Sequence, residues 1–449
     1  MRKAYLKKNL TCPVETETIT YRRKKAKGVR QAIFSQFTPE IIHHELQGED
    51  CTCPDCHGQL KEIGSTVQRQ ELIFIPAQLK RIDHVQHAYK CQACSEKNLS
   101  DKIVKAPVPK APLAHSFGSA SIIAHTIHQK FNLKVPNYRQ EEDWNKLGLP
   151  ITRKEIANWH IKSSHYYFEP LYDLLREKLL EQPILHADET SYKVLESDSQ
   201  LTYYWTFLSG KHEEQGITLY HHDKRRSGLV VKEFLGDYSG YIHCDMWSAY
   251  RQLNQAELVG CWAHVRRKFF EATPKKEDKT SLGARGLRYC DQLFALENDW
   301  VDLSTEEHLH KRQIELAPLM DEFFDWCREQ AVLSGSKLGR AVAYSLKYEH
   351  TLKTVLQDGH LVLSNNLAER AIKSLVMGRK NWLFSQSFEG AKSTAIILSL
   401  LETAKRHNLN TEKYMTYLLE HLPNEATLAK KEVLEAYLPW AESIQNNCK

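Results

Sequence analysis

Residues 183–195 read PILHADETSYKVL, a mainly apolar run that ends at an acid and then turns polar. Two further runs follow, LTYYWTFLSG at 201–210 and GITLYHHD at 216–223. All three are short, rich in aromatic and β-branched residues and separated by polar turns, so they predict three sequential strands. RSGLVVKEFLGDY (226–238) predicts a helix, YIHCDMWSAY (241–250) a strand ending in acid, and ELVGCWAHVRRKFFEA (257–272) a short strand entering a basic helix. A Lys/Glu-rich helical stretch fills 274–360, with a basic loop at Ser334–Arg340. A new helix opens at NNLAERAIKSLV (365–376), with Ala368, Ala371, Ile372 and Leu375 on one stripe, and a longer one covers Ala391–Arg406. Three strands, helix, strand, strand, helical insertion and helix make a mixed α/β plan.

Three acids stand at informative places in that plan. Asp188 follows Ile184–Ala187 at the end of the first strand, Asp245 follows Tyr241–Cys244 at the end of a later one, and Glu369 lies in the first turn of the NNLAER helix. Carboxylates from two strand ends and a helix can converge on paired divalent cations, and hard oxygen ligands suit Mg²⁺ in phosphodiester chemistry. Each acid also has a structural reading. Asp188 can cap a turn and Asp245 can start a helix at Trp247, while Glu369 has capping-box spacing from Asn366 and ion-pair spacing to Lys373. Spacing alone leaves both readings open.

The 449 residues, 42% hydrophobic and 26% charged, support a sizeable core and exclude a disordered or collagen-like chain. No segment approaches the length of apolar residues that a membrane helix needs, and the N-terminus has a basic start without an apolar stretch, so the expectation is a soluble, cytoplasmic protein. Residues 1–34 carry ten Lys or Arg against Glu15 and Glu17, although the whole chain is only +5. A basic head on a near-neutral body suits a polyanion, most simply nucleic acid, and a solubilising tail is the plainer alternative.

Five of the eleven cysteines fall between 51 and 94, in CTCPDC and YKCQAC. Cys53-x2-Cys56 and Cys91-x2-Cys94 are paired knuckles, whose four thiolates complete a tetrahedral structural Zn²⁺ site. Cys51, His57 and His84 are substitute ligands. The alternating stretches Glu71–Pro76 and Lys80–Val85 fit a small hairpin or sheet bridging the knuckles. The remaining cysteines (Cys12, Cys244, Cys261, Cys290, Cys327 and Cys448) read as buried or incidental thiols. Cys261 and His264 have ligand-like spacing, but no second pair lies near them in sequence. Beyond the knuckles, Pro107, Pro109 and Pro112 mark an extended linker. Residues 117–180 read helical, with Thr152 and Glu155 forming a capping box and a Gly-Leu-Pro turn that is compatible with a helix-turn-helix.

Taken in order, RRKKAKG, CPDC…CQAC, the VPKAP region, PNYRQE, LHADET, SGLVVKEFLGDYSGYIHCDMWSAY, CWAHVRRKFF and the run from NNLAER to LLETAK resemble the IS66 family of insertion-sequence transposases. The resemblance covers residues from about 22 to about 424. It implies an RNase H-like catalytic domain with a DDE triad, matched here by Asp188, Asp245 and Glu369 as catalytic ligands of Mg²⁺ or Mn²⁺. It also implies a preceding zinc-binding domain, matched by Cys53, Cys56, Cys91 and Cys94. Departures are Ser364, where the family commonly has Asp, and Met246-Trp247, where it commonly has Gly and an aromatic residue. The family's further N-terminal helical region has no counterpart in residues 1–21, which reads as a 5′-truncated or shorter variant.

The organisation expected is a basic segment (1–45), a zinc-binding domain (46–101), a proline-containing linker (102–113) and a helical, DNA-binding segment (114–182). An RNase H-like catalytic domain (183–407, insertion about 274–360) and a C-terminal helical segment (408–449) complete it. Arg22, Arg23, Lys24, Lys25, Arg266, Arg267, Arg379 and Lys380 are the expected DNA contacts, suited to phosphates rather than bases. Trp382 reads as a core residue with base stacking as the alternative. The expected activity is metal-dependent cleavage at element ends followed by strand transfer. Its partners would be double-stranded transposon-end and target DNA, further copies of the chain and other proteins of the same element, at the nucleoid. The rival reading is an inactive zinc-containing DNA-binding relic or regulator of the element.

Overall fold

The computed structural model describes residues 29–51, 53–72, 77–90, 103–274 and 278–449, and the chain divides into two compact units, Met1–Asp83 and His84–Lys449. In the first, helix α1 (Val29–Phe34) and a single 3₁₀ turn (Gly48–Cys51) precede a tight reversal at Cys53–Gly58. The Cys53 amide donates to the Gly58 carbonyl at 2.8 Å and the His57 amide to the Cys53 carbonyl at 2.9 Å, with His57 in the left-handed region at φ 57°. The hairpin expected after it does not form among the described residues: Glu71, Leu72 and 77–87 carry no strand, and 73–76 lie outside them. Leu72, Leu79 and Ile82 are all exposed, so the alternation has no face to bury and nothing to fix a register.

The second unit opens with a two-stranded antiparallel ladder, β1 (Ala88–Lys90) and β2 (Ile103–Lys105). Four helices follow: α2 (Ala120–Ile127), α3 (Asn137–Lys146), α4 (Arg153–Ser163) and α5 (Glu169–Leu180). The α3–α4 turn passes through Gly148 at φ +83°, a conformation that favours glycine. The capping box expected at Thr152 is formed: its hydroxyl accepts the Glu155 amide at 3.2 Å, and Glu155 reaches back to the Thr152 amide at 2.8 Å.

A five-stranded sheet comes next: β3 (Ile184–Tyr192), β4 (Thr202–Ser209), β5 (Thr218–Asp223), β6 (Tyr241–Cys244) and β7 (Glu257–Gly260). Its order is β5-β4-β3-β6-β7, with β4 antiparallel to both neighbours and β3, β6 and β7 mutually parallel. Helix α6 (Gly228–Leu235) makes the crossover that a parallel β6 requires. After β7 come α7 (Trp262–Ala272), α8 (Leu282–Asp299), α9 (Thr305–Lys311), α10 (Ala317–Glu329), α11 (Lys337–Lys347) and α12 (Glu349–Lys353). Helices α13 (Asn366–Trp382) and α14 (Phe388–Arg406) bring the chain back against the sheet, and α15 (Thr411–His421) packs on α2.

There are two cores. One joins β3–β5 and α6 to α2–α5, α14 and α15. The other lies inside the helical insertion around Trp262, Phe269, Phe323, Phe324 and Trp326, and reaches the sheet through Ile184 and Val259. Arg312, fully buried between α9 and α10, spends all five of its donors on Glu297 and on the carbonyls of Val355, Asp358 and Leu361. Edge strand β5 is closed by side chains rather than by another strand. The Thr218 amide donates to Thr403 Oγ1, that hydroxyl donates to the Thr218 carbonyl, the Tyr220 amide donates to Ser399 Oγ, and the Tyr172 hydroxyl donates to the Tyr220 carbonyl. Exposed backbone groups on an edge invite foreign strands, and these hydroxyls occupy them.

Candidate metal centre

Asp188 lies in the middle of β3 and not at its end, because β4 stays paired with β3 as far as Tyr192. What stops near Asp188 is the parallel ladder: β3 pairs with β6 only through Ile184, Leu185 and His186, opposite Tyr241, Ile242 and His243. Continued by two residues, that register sets Asp188 against Asp245 across the splaying ends of two neighbouring strands. The alignment is visible one pair earlier, where the buried His186 and His243 rings stack 4.3 Å apart at 9°. His186 Nδ1 is 2.9 Å from Asn365 Oδ1, whereas both nitrogens of His243 lack a hydrogen-bond partner.

Asn365 joins three elements at the start of α13. Its side-chain amide donates to the Ala187 carbonyl at 2.8 Å, its Oδ1 meets His186, and its backbone N–H donates to Cys261 Sγ at 3.2 Å. Asn366 is the first residue of α13 and not its cap, so the capping box expected between Asn366 and Glu369 is not formed, and Asn365, in the cap position, makes no side-chain cap. Glu369, one turn on, faces α7: its Oε2 is 3.6 Å from Arg267 Nη2 and its Oε1 is 4.0 Å from His264 Nδ1.

Burial, the neighbouring Glu189 charge, and the charges of Asp245 and Glu369 push the Asp188 carboxyl up to about 7, against an opposing hydrogen bond from the Glu189 amide. Asp188 therefore feels both of the other acids. Asp245 Oδ1 also accepts the Trp247 amide at 2.9 Å, a local turn made possible by Met246 at φ +67°. Glu189 is a fourth carboxylate, but Arg226 at 2.6 Å and the Tyr250 hydroxyl at 2.8 Å occupy its two oxygens. Arg226 itself stacks over Trp247 at 4.3 Å.

Among the described residues, the group that brings three ligand atoms within 4.8 Å of one another is Cys261, His264 and Glu369, not the three acids. Cys261 is fully buried at the start of α7 and His264 lies one turn on. Burial lowers the His264 pKa, with Glu369 pulling the other way. In the first unit, the amides of Cys56 and Asp55 hold the half-buried Cys53 thiol below its usual value, which suits a thiolate donor to zinc. Cys91, Cys94 and Arg22, Arg23, Lys24 and Lys25 lie outside the described residues.

The other expected contacts are dispersed. Arg266 pairs with Asp291 at 2.6 Å, Arg379 donates to Thr190 Oγ1 at 3.2 Å and to the Ser191 carbonyl, and Lys380 is exposed. Trp382 is half-buried against Phe131, with Lys130 Nζ 5.8 Å above its ring. Cys244, Cys261, Cys290, Cys327 and Cys448 are buried free thiols, as expected. Sequence reading passed over Asn365, the histidine pair and the Glu189–Arg226–Tyr250 group. A repeated His-x-Asp, in HAD at 186–188 and HCD at 243–245, was the available signal for the pair.

Three family models match the chain. The transposase IS66 family covers residues 115–393, the zinc-finger binding domain of transposase IS66 covers 50–95, and the IS66 C-terminal element covers 399–440. The chain is also 26% identical over 415 residues to the uncharacterized protein y4hP of Sinorhizobium fredii, spanning 87% of this chain and 73% of that protein. It is 25% identical over 413 residues to y4jD of the same organism, spanning 88% and 79%. A mixed α/β body with a zinc-finger region ahead of it in sequence and a Cys/His/Glu cluster able to hold a metal ion falls among the DDE-type transposases. The chain belongs to the IS66 transposase family. Among the described residues, no helix is long and apolar enough to cross a membrane.

Proposed function

We propose that the chain is a DNA transposase that cleaves the phosphodiester at the ends of its element and joins the freed 3′ ends to target DNA, through an RNase H-like domain with Asp188, Asp245 and Glu369 as the acidic triad. The observation that carries this reading is the β3–β6 register, whose continuation by two residues past His186 and His243 would set Asp188 against Asp245, while Asn365 ties the helix of Glu369 to the same strand. The 3-2-1-4-5 strand order, with the second strand antiparallel, supports the RNase H-like fold. Asp188 is raised first by burial and then by the charges of Glu189, Asp245 and Glu369, and a bound cation would relieve both effects.

Asp188, Asp245 and Glu369 would hold Mg²⁺ or Mn²⁺, which when bound supplies Lewis-acid charge at the scissile phosphate. The acids act as ligands rather than as an acid/base pair. The first nucleophile is water, releasing a 3′-OH, and the second is that 3′-OH attacking target DNA, both as in-line displacements. Arg267 and Lys380 offer positive charge to phosphates, and Arg226 holds Glu189 out of the triad. The zinc region, with Cys53, Cys56, Cys91 and Cys94 as ligands, and the α2–α5 helices would bind the element ends, with Arg22–Lys25 adding sequence-independent affinity. Further copies of the chain would assemble on that DNA at the nucleoid.

The test is a cleavage and strand-transfer assay on duplexes carrying the native terminal repeat. Asp188→Asn, Asp245→Asn and Glu369→Gln should each abolish both reactions while leaving end binding intact. Near-parental cleavage by Glu369→Gln would remove it from the triad. A parent that binds ends but never cleaves them, with the element's other proteins present, would favour the relic or regulator.

A further inference from the structure

We propose that Cys261, His264 and Glu369 form a binding site for a thiophilic divalent cation, Zn²⁺ in the first instance, and that occupancy of this site withdraws Glu369 from the acidic triad. The second half rests on the catalytic reading of Glu369; the site itself does not.

Each of the three residues brings one ligand atom within 4.8 Å of the other two. They come from two helix starts that face each other, α7 with Cys261 and His264, and α13 with Glu369. His264 Nδ1 and Glu369 Oε1 approach to 4.0 Å, and each is buried without a hydrogen-bond partner. A single cation between them satisfies both, at the roughly 2.0–2.2 Å that zinc prefers for nitrogen and oxygen.

The donor set selects the metal. Sulfur, imidazole nitrogen and one carboxylate oxygen suit Zn²⁺ or Co²⁺, whereas Mg²⁺ demands an oxygen octahedron. Three protein ligands leave the fourth tetrahedral position open. The outer shell is already built: the Asn365 amide donates to Cys261 Sγ at 3.2 Å, the kind of hydrogen bond that orients a metal ligand and tunes its donor strength. Arg267 engages the other carboxylate oxygen, Oε2, and leaves Oε1 to the cation. With Oε1 committed towards α7, Glu369 cannot serve a cation at Asp188 and Asp245 with the same geometry. Zinc at this site is therefore an inhibitor that Mg²⁺ must outcompete.

The experiment counts zinc on the full-length protein after equilibration with Zn²⁺ against a competing chelator, and repeats the loading with Co²⁺. Cys261→Ser and His264→Gln should each bind one equivalent less than the parent. Asp188→Asn should match the parent. The near-ultraviolet sulfur-to-cobalt band should lose intensity in Cys261→Ser. Micromolar Zn²⁺ should inhibit parental Mg²⁺-dependent cleavage at least tenfold more than that of Cys261→Ser. Equal stoichiometry in parent, Cys261→Ser and His264→Gln overturns the site, as does an equivalent lost only in Asp188→Asn. If Cys261→Ser fails to fold, the partly exposed His264→Gln carries the count. Glu369→Gln separates the two readings. Loss of the equivalent with cleavage intact leaves the site standing and removes the triad, whereas loss of cleavage with the equivalent retained does the reverse.

Discussion

His186 and His243 stack 4.3 Å apart, and each stands two residues ahead of an acid of the proposed triad, Asp188 and Asp245. The pair is a floor beneath the site, and it is neutral. Burial pushes His186 down to about 4 and His243 well below the usual histidine value. An unfolded histidine takes up its proton near pH ~6.5. Between that pH and about 4 the unfolded chain holds the extra proton, so stability is full above ~6.5 and falls as the pH falls. His186 alone should cost about 2 kcal/mol by pH 5. Thermal melts from pH 7.5 to 5 should show the decline, and His243→Phe, which keeps the stacked ring, should make it shallower. An unchanged slope would clear the pair of this role.

Asp188 behaves in the opposite sense. Its carboxyl, raised to about 7 chiefly by burial and by Glu189, keeps its proton in the fold after an unfolded aspartate has lost it at pH ~3.9. The native state is therefore penalised progressively as the pH rises from 4 through 7. Asp188→Asn should stabilise the metal-free protein at pH 8 by roughly 2–4 kcal/mol and have little effect at pH 4. Mg²⁺ should raise the melting temperature of the parent at pH 8 more than that of the variant. Destabilisation by Asn at pH 8 would contradict the burial argument.

Asn365→Ala deletes the bonds to His186 and to the Ala187 carbonyl and leaves both groups buried without a partner. The expected loss is about 2–3 kcal/mol of stability. Because this side chain sets where Glu369 stands relative to Asp188, cleavage should fall by a further 10–100-fold below the temperature at which the variant melts, with end binding kept. The Mg²⁺ concentration for half-maximal cleavage should rise. A purely structural role would leave that concentration unmoved.

Arg312→Met should loosen the helical insertion. It leaves Glu297 and three carbonyls without their donor, and breaking a buried ion pair from one side costs about 3–5 kcal/mol. Hydrogen exchange should accelerate in α8–α12 more than in β3–β5. A uniform increase across both cores would mean that the insertion does not open separately.

The strands of the sheet were legible because their aromatic and β-branched runs are long enough to have one reading, and β4, buried on both faces, is the plainest of them. The place of Asp188 within β3 was not, since strand length depends on how far β4 stays paired, and pairing is a property of two segments. Helix starts at Thr152 and Asn366 were readable from local chemistry. The use of Asn365 was not, because its partners lie 178 and 179 residues away. Cys261 and His264 were noticed for their spacing and set aside for want of a neighbouring ligand, and Glu369 supplies it from 105 residues downstream. Periodicity reports which face a residue takes, but not which distant group shares that face.

The hydroxyls that seal β5 carry a consequence for how the protein is made. Tyr220 waits for Ser399 across 179 residues and Thr218 waits for Thr403 across 185. At the usual rate of about 5–20 residues per second on the ribosome, that edge stays uncovered for roughly 10–40 s in every round of translation. During that interval the half-made sheet is adhesive, and a copy of the gene broken between β5 and Ser399 never leaves that state. Element decay from the 3′ side therefore yields chains prone to aggregate rather than quiet fragments, and the price of a late stop codon falls on folding before it falls on chemistry.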